Sequence, residues 1–233
     1  MKIKKAMILA AGKGTRMHPL TLKNPKPLIK IGKYSLLERG INLLIYHGIE
    51  ELVVNVHYLA DQIEDFIIKK NYKIKITVSN EIDKLLDTGG GILKGTKIFN
   101  DEPFIVLNPD TLWNNDYSIE LKLLEQMYFE TKKTCLLLVN KNLSFDPTFK
   151  GDFNLNSGNQ VLHSKDCQYI FTGLQIMDRS IFNFIKENLF SMNLVWDHLI
   201  LSNNLYGLKS EKKFYHLNTK NIYDKILKLN FID

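Results

Sequence analysis

Short apolar runs alternate with longer amphipathic stretches over the first 140 residues, and this alternation constrains the fold more than any other feature of the chain. Apolar runs of strand length predict buried β-strands, and apolar residues spaced three and four apart predict amphipathic helices. The predicted strands cover 3–10, 51–56, 73–79, 103–108 and 134–140, and the predicted helices cover 35–48, 59–70, 91–99 and 118–130. Because parallel strands need crossovers of this length, we predict an α/β, Rossmann-like, mainly parallel sheet with helices on both faces.

The pattern changes after residue 140, where shorter strands and turns replace the regular alternation. Alternating residues flank the turn sequence NSGN and predict a β-hairpin within 151–163. The remaining predictions are strands at 169–177, 206–210 and 213–217 and helices at 179–188, at 195–202 and from about 220. We therefore expect one domain over 1–233, with an α/β half at 1–140, a smaller mixed half at 141–233 and no hexapeptide-repeat tail.

The charge balance is basic, with 31 Lys and Arg against 25 Asp and Glu, which suits a partner rich in phosphate. A nucleotide, a sugar phosphate and a nucleic acid would each satisfy that balance. The lysines are scattered and form no arginine-rich run, so we expect no nucleic-acid partner.

No segment offers the roughly 18 uninterrupted apolar residues of a membrane helix. The apolar run behind the basic N-terminus is also too short for a secretory signal. We therefore expect a cytoplasmic protein with no membrane partner, either a monomer or a small homo-oligomer. Cys135 and Cys167 lie too far apart for a zinc-binding spacing and are predicted to be buried free thiols.

A basic, glycine-rich loop, AGKGTRMHP at 11–19, follows the first predicted strand. In sheets of this kind, ligands bind beyond the carboxyl ends of the strands. The loop lacks the Ser or Thr that a P-loop has after Gly-Lys, and Met17 stands where the dinucleotide motif needs its third glycine. Two interpretations remain: a phosphate-binding loop charged by Lys13 and Arg16, or a tight turn with solvated basic side chains.

Lys26 lies between Pro25 and Pro27 in the sequence NPKPL, and the prolines stiffen the backbone that carries its ammonium group. This arrangement favours the phosphate-binding interpretation. The stretch from 7 to 28, MILAAGKGTRMHPLTLKNPKPL, resembles the signature of the sugar-1-phosphate nucleotidyltransferases. The likeness extends over nearly the whole chain through LLDTGGGI at 85–92, VLNPD at 106–110, YIFTGLQIM at 169–177, NLVWDHLI at 193–200 and FYHLNTKNIYDKI at 214–226.

The resemblance implies the nucleotide-diphospho-sugar transferase fold, with 1–140 as the nucleotide-binding half and 141–233 as the sugar-side half. It also implies a reaction that converts a nucleoside triphosphate and a sugar 1-phosphate into an NDP-sugar and pyrophosphate, with Mg²⁺ as cofactor. The similar short bacterial members point to UTP and N-acetylmuramate 1-phosphate or a related amino sugar. Mannose 1-phosphate with GTP, or another such pair, is the alternative.

The resemblance further implies a role for each matching residue. Catalysis is assigned to Arg16, Lys26 and Asp110. The metal is assigned to Asp110 and, as a second candidate, to His216. The residues expected to contact the nucleotide are Ala10, Ala11, Gly12, Lys13, Gly14, Thr15, Arg16, Asp87, Thr88, Gly89 and Gly90. The residues expected to contact the sugar are Asn108, Gly173 and Asp197.

Two departures from the family pattern leave alternatives open. Pro109 stands where the family has a small residue, and His216 stands where the closing segment usually has a second aspartate. Imidazole is a poor ligand for Mg²⁺. His216 would therefore contact the ion through water, bind substrate phosphate, leave Asp110 as the sole protein ligand, or pack on a strand edge. The same departure supports a competing hypothesis, a non-catalytic regulatory homologue that binds nucleotide sugars.

Overall fold

The computed structural model describes residues 2–229, so Met1 and residues 230–233 of the predicted domain lie outside the described residues. The strands are β1 (Lys5–Leu9), β2 (Lys30–Ile31), β3 (Tyr34–Ser35), β4 (Glu51–Val56), β5 (Lys75–Asn80), β6 (Phe104–Leu107), β7 (Thr134–Asn140), β8 (Asn154–Leu155), β9 (Val161–Leu162), β10 (Tyr169–Met177) and β11 (Leu205–Ser210). The α-helices are α1 (Leu36–His47), α2 (Ala60–Lys70), α3 (Asp87–Gly95), α4 (Ser118–Thr131), α5 (Met192–Leu201) and α6 (Lys220–Leu227). Within residues 2–229, none of these helices has the length and hydrophobicity of a transmembrane span.

Seven strands form one sheet in the order β11-β7-β10-β6-β1-β4-β5. The parallel pairs are β1 with β4, β1 with β6, β4 with β5 and β7 with β11. β10 pairs antiparallel with both β6 and β7, so one reversed strand is built into an otherwise parallel sheet. The other four strands form two small hairpins, β2 with β3 and β8 with β9. The predicted α/β fold with a mainly parallel sheet is confirmed.

The central strand β1 shows why helices cover both faces of the sheet. Ala6 and Ile8 belong to a buried cluster that contains Leu37 of α1. Met7 belongs to the cluster on the opposite face, which contains Ile92 of α3. Because successive side chains of a strand point to opposite faces, a strand buried on both sides must be apolar at every position.

Local signals set the ends of α1, which closely matches the helix predicted at 35–48. The Ser35 side chain accepts a hydrogen bond from the Glu38 N–H at 3.2 Å and caps the N-terminus. The helix ends at Gly48, whose φ of +100° favours glycine.

The helix predicted at 179–188 is wrong, because the chain forms only a 3₁₀ turn at Arg179–Phe182. The residues that follow cross α3, where the carbonyl of Phe190 accepts hydrogen bonds from the N–H groups of Gly89 and Gly90. These tertiary hydrogen bonds override the local helix propensity of the segment.

Two helices begin earlier than predicted. The helix predicted at 91–99 begins at Asp87, so its first turns contain Gly89 and Gly90 in spite of the low helix propensity of glycine. The helix predicted at 195–202 begins at Met192, where the Ser191 side chain caps the N-terminus by accepting from a backbone N–H.

The prediction of a regular strand at 213–217 is also wrong, because this segment forms only isolated bridges within residues 2–229. Phe214 forms an isolated parallel bridge with Ser144, and His216 forms an isolated antiparallel bridge with Thr111. Because the two residues pair with different partners in opposite senses, no continuous ladder develops. The segment nevertheless joins the loop after β6 to the last part of the chain.

The two cysteines differ in exposure. Cys135 is buried, as predicted, whereas Cys167 is only partly buried, so the prediction of a buried thiol is wrong there. Cys167 precedes β10, and its Sγ lies 3.3 Å from the carbonyl oxygen of Ser164.

Candidate functional site

The carboxyl ends of β1 and β6 meet at one edge of the sheet, where a cavity of about 520 Å³ opens. Its walls come from the loop after β1, the turn that carries Lys26, the start of α3 and the loop after β6. The lining residues are Leu9, Ala10, Ala11, Gly12, Lys13, Gly14, Thr15, Arg16, Met17, Lys26, Pro27, Leu36, Asn55, Leu85, Asp87, Thr88, Asn108, Pro109, Asp110 and Asn218. Most residues that sequence reasoning assigned to the nucleotide therefore line a single cavity.

A second cavity, of about 580 Å³, lies beside residues 112–117 and includes Tyr34, Arg39 and Lys212 in its walls. It contains none of the residues that sequence reasoning assigned to the substrates. Size alone therefore does not identify the functional site. We assign the site to the first cavity, where the chemically active side chains converge.

Gly12 and Gly14, the two glycines of the loop after β1, differ in their backbone conformation and in what surrounds them. Gly14 has a φ of +64°, and a Cβ there would lie 2.9 Å from the Cβ of Lys26 and 3.1 Å from the Cγ2 of Thr21. Its missing side chain therefore lets the Lys26 segment pack against the loop. Gly12 is exposed, and a Cβ there would meet no atom of residues 2–229 within 4 Å. Packing does not require glycine at position 12, so the open space is available for a ligand that approaches the backbone.

Lys26, Asp110 and His216 form the polar centre of the site. Lys26 Nζ lies 2.7 Å from Asp110 Oδ2, and His216 Nε2 lies 3.6 Å from the same oxygen. The other carboxylate oxygen, Asp110 Oδ1, is buried and has no hydrogen-bond partner within residues 2–229. The Asp110 carbonyl accepts from the N–H of Leu217 at 2.7 Å, which aligns Asp110 with the segment that carries His216.

Burial and mutual charge set the protonation of this centre. Burial alone would raise the pKa of Asp110, but a protonated His216 and the Lys26 ammonium lower it, and the resulting pKa lies below the usual value. Burial lowers the pKa of His216, Asp110 opposes that shift, and Lys26 and Arg16 reinforce it. At neutral pH, Asp110 is therefore ionised and His216 is neutral, so Lys26 is the cation that keeps the carboxylate charged.

Lys13 and Arg16 supply positive charge that the protein itself does not neutralise. Both are exposed on the cavity wall, and neither forms a hydrogen bond or ion pair with another residue in the range 2–229. Lys26, by contrast, is already paired with Asp110. Two unpaired cations beside a neutralised carboxylate favour a ligand that carries several negative charges.

The glycines at the start of α3 serve the packing of the helix. Of residues 87–90, only the first two line the cavity. The N–H groups of Gly89 and Gly90 donate to the Phe190 carbonyl at 3.0 and 3.1 Å. A Cβ at Gly90 would lie 2.1 Å from the carbonyl oxygen of Asn188. These glycines therefore allow α3 to lie against residues 188–190, and their N–H groups are already occupied.

Sequence reasoning missed a buried polar network that joins two walls of the cavity. Asn55, near the end of β4, accepts from the Ala10 N–H at 2.8 Å and donates to Glu81 Oε1 at 2.7 Å. Glu81 also accepts from the N–H of Leu86, just before α3, at 3.0 Å. The network fixes the loop after β1 relative to the start of α3. Its sequence signal is a lone asparagine within the apolar run LVVNV.

The residues assigned to the sugar separate in the structure. Asn108 lines the cavity, and its N–H donates to the Gly173 carbonyl at 2.7 Å. Gly173 does not line the cavity; its φ is +93°, and a Cβ there would lie 2.8 Å from the Cβ of Asn108. Asp197 also lies outside the lining, exposed on α5, and pairs with His163 at 2.8 Å. Asn218, to which sequence reasoning assigned no role, lines the cavity.

The arrangement suits chemistry on phosphates. A hard divalent cation such as Mg²⁺ prefers carboxylate oxygens, few of them from protein, and completes its shell with phosphate and water. Asp110, ionised and with Oδ1 unpartnered within residues 2–229, fits such an ion, and His216 Nε2 lies 3.6 Å from its other oxygen. Within residues 2–229, no three His, Cys, Asp or Glu side chains form a metal-holding group.

Comparisons with known proteins agree with this description. Residues 5–143 match the family model described as nucleotidyl transferase. A Caulobacter vibrioides protein named N-acetylmuramate alpha-1-phosphate uridylyltransferase is 30% identical over 222 residues, which cover 91% of this chain and 90% of that protein. A mannose-1-phosphate guanyltransferase of Gibberella zeae is 33% identical over 111 residues, which cover 46% of this chain and 30% of that protein. The crystal structure of HddC from Yersinia pseudotuberculosis shares the fold, with a TM-score of 0.78, 22% identity and coverage of 97% of this chain and 99% of that chain.

Proposed function

The chain belongs to the nucleotidyl transferase family and is a sugar-1-phosphate nucleotidyltransferase, and we propose that it transfers a uridylyl group from UTP to N-acetylmuramate 1-phosphate or a closely related amino-sugar phosphate. The observation that carries the proposal is the cavity in which Lys13 and Arg16, unpaired within residues 2–229, lie beside the Lys26–Asp110 pair. The choice of UTP and an amino sugar rests on the Caulobacter relative, whose similarity extends over 91% of the chain. With that substrate, we further propose that the enzyme acts in the cytoplasm, in the recycling of cell-wall sugars.

In the proposed reaction, an oxygen of the sugar 1-phosphate attacks the α-phosphorus of UTP. A new P–O bond forms as the bond to the β-phosphate oxygen breaks, and pyrophosphate leaves in line. The attacking phosphate is already ionised, so no side chain has to remove a proton or form a covalent intermediate. The protein has to hold two polyanions in line and neutralise their charge.

We assign the phosphate-handling roles to the cavity's charged side chains. Lys13 and Arg16 bind the triphosphate, and the planar guanidinium of Arg16 can bind two phosphate oxygens at once. Lys26 reaches the phosphates of the reacting groups by leaving Asp110 Oδ2, which lies 2.7 Å from its ammonium in this structure. Asp110 holds a divalent cation, which when bound supplies further neutralisation of phosphate charge.

We place the nucleoside and the sugar on opposite sides of this centre. The nucleoside lies between the loop after β1 and residues 87–88, whose separation the Asn55–Glu81 network maintains. The sugar lies toward Asn108 and Asn218. The side-chain oxygens of these two residues are buried without a partner in the range 2–229, so each can still accept a hydrogen bond.

The test is pyrophosphate release, measured with a divalent cation over a grid of substrates. UTP, GTP, CTP, dTTP and ATP are each combined with the 1-phosphates of N-acetylmuramate, N-acetylglucosamine, glucose, mannose and a heptose. We expect the highest turnover with UTP and an amino-sugar phosphate. Asp110→Asn is the control, and it should abolish that turnover without preventing nucleotide binding.

Other outcomes of the grid identify the alternatives. Preferred turnover of GTP with mannose 1-phosphate would replace the proposed substrates with those in the name of the Gibberella relative. A folded protein that binds nucleotide sugars without turnover, and without any effect of the metal, would support the non-catalytic hypothesis. The departure at His216 would then be the leading explanation for the lost activity.

A further inference from the structure

We propose that the divalent cation at this site is bound by Nε2 of His216 as well as by Asp110, and that the enzyme consequently favours Mn²⁺ or Co²⁺ over Mg²⁺. This inference rests on the proposed function, since it concerns the cation that accompanies phosphate substrates. It follows from the position and the tautomer of the His216 imidazole beside the Asp110 carboxylate.

The neighbours of His216 determine which of its nitrogens carries the proton. Its Nδ1 lies 3.5 Å from Oγ1 of Thr111. The Thr111 hydroxyl already donates its only hydrogen to the carbonyl oxygen of Thr172, at 2.7 Å. Thr111 can therefore only accept from the imidazole, so this contact is a hydrogen bond in the tautomer that carries its proton on Nδ1, the tautomer that we assign. A neutral ring held in this way presents the lone pair of Nε2, as metal-binding histidines do when an acceptor holds the other nitrogen.

That lone pair faces the carboxylate. Nε2 lies 3.6 Å from Asp110 Oδ2, and two atoms that both carry lone pairs repel each other unless a positive group lies with them. Two ligands of one ion, each at roughly 2.1 Å from it, are separated by about 3.0 to 3.6 Å, depending on the angle. The observed separation therefore suits one shared cation. Lys26 occupies the same oxygen here, and the proposed function transfers Lys26 to the substrate phosphates.

A pair of ligands made of one nitrogen and one oxygen discriminates between divalent ions. Mg²⁺ takes oxygen ligands almost exclusively, whereas first-row transition metals accept imidazole with an affinity that increases from Mn²⁺ to Co²⁺. His216→Asp would convert the pair to two carboxylates and is the matched variant. Relative to the wild type, it should shift the preference back toward Mg²⁺.

The direct test is electron spin echo spectroscopy of Mn²⁺ bound to the protein with UTP and, in a parallel sample, with GTP. A nitrogen ligand of Mn²⁺ modulates the echo at frequencies that change when ¹⁴N is replaced by ¹⁵N. We expect this modulation in the wild type, a change of frequency when only histidine is ¹⁵N-labelled, and its loss in His216→Asp. His163→Asn, which removes the other histidine that pairs with an aspartate, is the control and should keep the modulation.

A second measurement, displacement of bound Mn²⁺ by Mg²⁺, tests the selectivity. The Mg²⁺ concentration needed to displace half of the Mn²⁺ should fall by about tenfold in His216→Asp. An unchanged concentration would contradict the selectivity. The isotope comparison needs no substitution, so it decides whether a histidine binds the ion even if the variant fails to fold.

The outcomes separate the inference from the proposed function. Bound Mn²⁺ without histidine modulation, in a protein that turns over the substrate grid, would overturn the inference and leave the function standing. Such a result would assign His216 to a polar contact with Asp110 and not to the metal. Failure to bind Mn²⁺ with either nucleotide would overturn the inference together with the metal-dependent part of the proposed function.

Discussion

Two glycine-rich segments, residues 11–16 and 87–91, border the same cavity and look alike in the sequence. In the first, Gly12 has open space where a side chain would be, and two cations nearby are unpaired within residues 2–229. In the second, Phe190 and Asn188 fill the space beside Gly89 and Gly90, and the glycine N–H groups are already bonded. The first segment leaves its backbone available, and the second uses its glycines to bring two parts of the protein together.

The difference shows that a glycine pattern has two separate physical causes. Glycine permits close approach of a backbone to another group, and that group can be a ligand or a neighbouring chain segment. Only the surroundings of each residue distinguish the two. Substitution of Gly12 should therefore impair activity, and substitution of Gly89 or Gly90 should impair stability.

The largest effect should come from Lys26, the residue that Gly14 allows to pack beside the loop. Lys26→Met removes one positioned cation that stabilises the negative charge of the transition state. We expect kcat to fall by on the order of 10³-fold, as for other preorganised charge-stabilising groups. Steady-state kinetics with the preferred substrates would measure it. Lys23→Met, an exposed lysine of the same segment, is the matched control. Comparable losses in both variants would show that only overall charge matters.

Gly90→Ala tests the second segment. Helix propensity alone predicts a gain of about 1 kcal/mol in unfolding free energy. The structure predicts the opposite, because the new Cβ would lie 2.1 Å from the Asn188 carbonyl oxygen. We expect a net loss of about 2 to 3 kcal/mol, as in other overpacked sites. Urea denaturation would measure it, and a variant as stable as the wild type would contradict the packing explanation.

Gly12→Ala tests the first segment, in which stability and activity should respond differently from Gly90→Ala. The added methyl meets no atom of the described part of the chain within 4 Å, so the free energy of unfolding should change by less than about 0.5 kcal/mol. The methyl would occupy space through which a phosphate approaches the backbone, so kcat/KM for the nucleotide should fall by about tenfold or more. A stable variant with full activity would show that the open space is unused.

The smallest effect should be the pH dependence that Asp110 contributes to stability. Its pKa is lower in the folded protein than in the unfolded chain, where it is about 4. Its stabilising contribution is therefore fully present above about pH 4 and is lost as the pH falls through the lower folded value. The difference in unfolding free energy between wild type and Asp110→Asn should shrink as the pH falls from about 4 to about 2. Urea denaturation across that range checks it, and a difference that grows in acid would reverse the assigned sign.

The sequence by itself determined the fold class and most members of the cavity wall. Strand β1 could be predicted from its apolar run. Helix α1 could be predicted because the Ser35 cap and Gly48 mark its two ends. The loop after β1 could be located because it follows a predicted strand, and Lys26 and Asp110 could be assigned because they lie in contiguous motifs that resemble the family signature. Such signals act within a few residues, so a single sequence contains them in full.

Only the tertiary structure decided which groups meet. Lys26 and Asp110 are 84 residues apart in the chain and 2.7 Å apart in space. The contact between Asn55 and Glu81 depends on the register of β4 and β5. The absence of a regular helix at 179–188 follows from the hydrogen bonds between Phe190 and α3. Contacts of this kind depend on how distant segments cross, whereas periodicity and caps report only the local backbone. For that reason, the difference between Gly12 and Gly90 could be seen only in the folded chain.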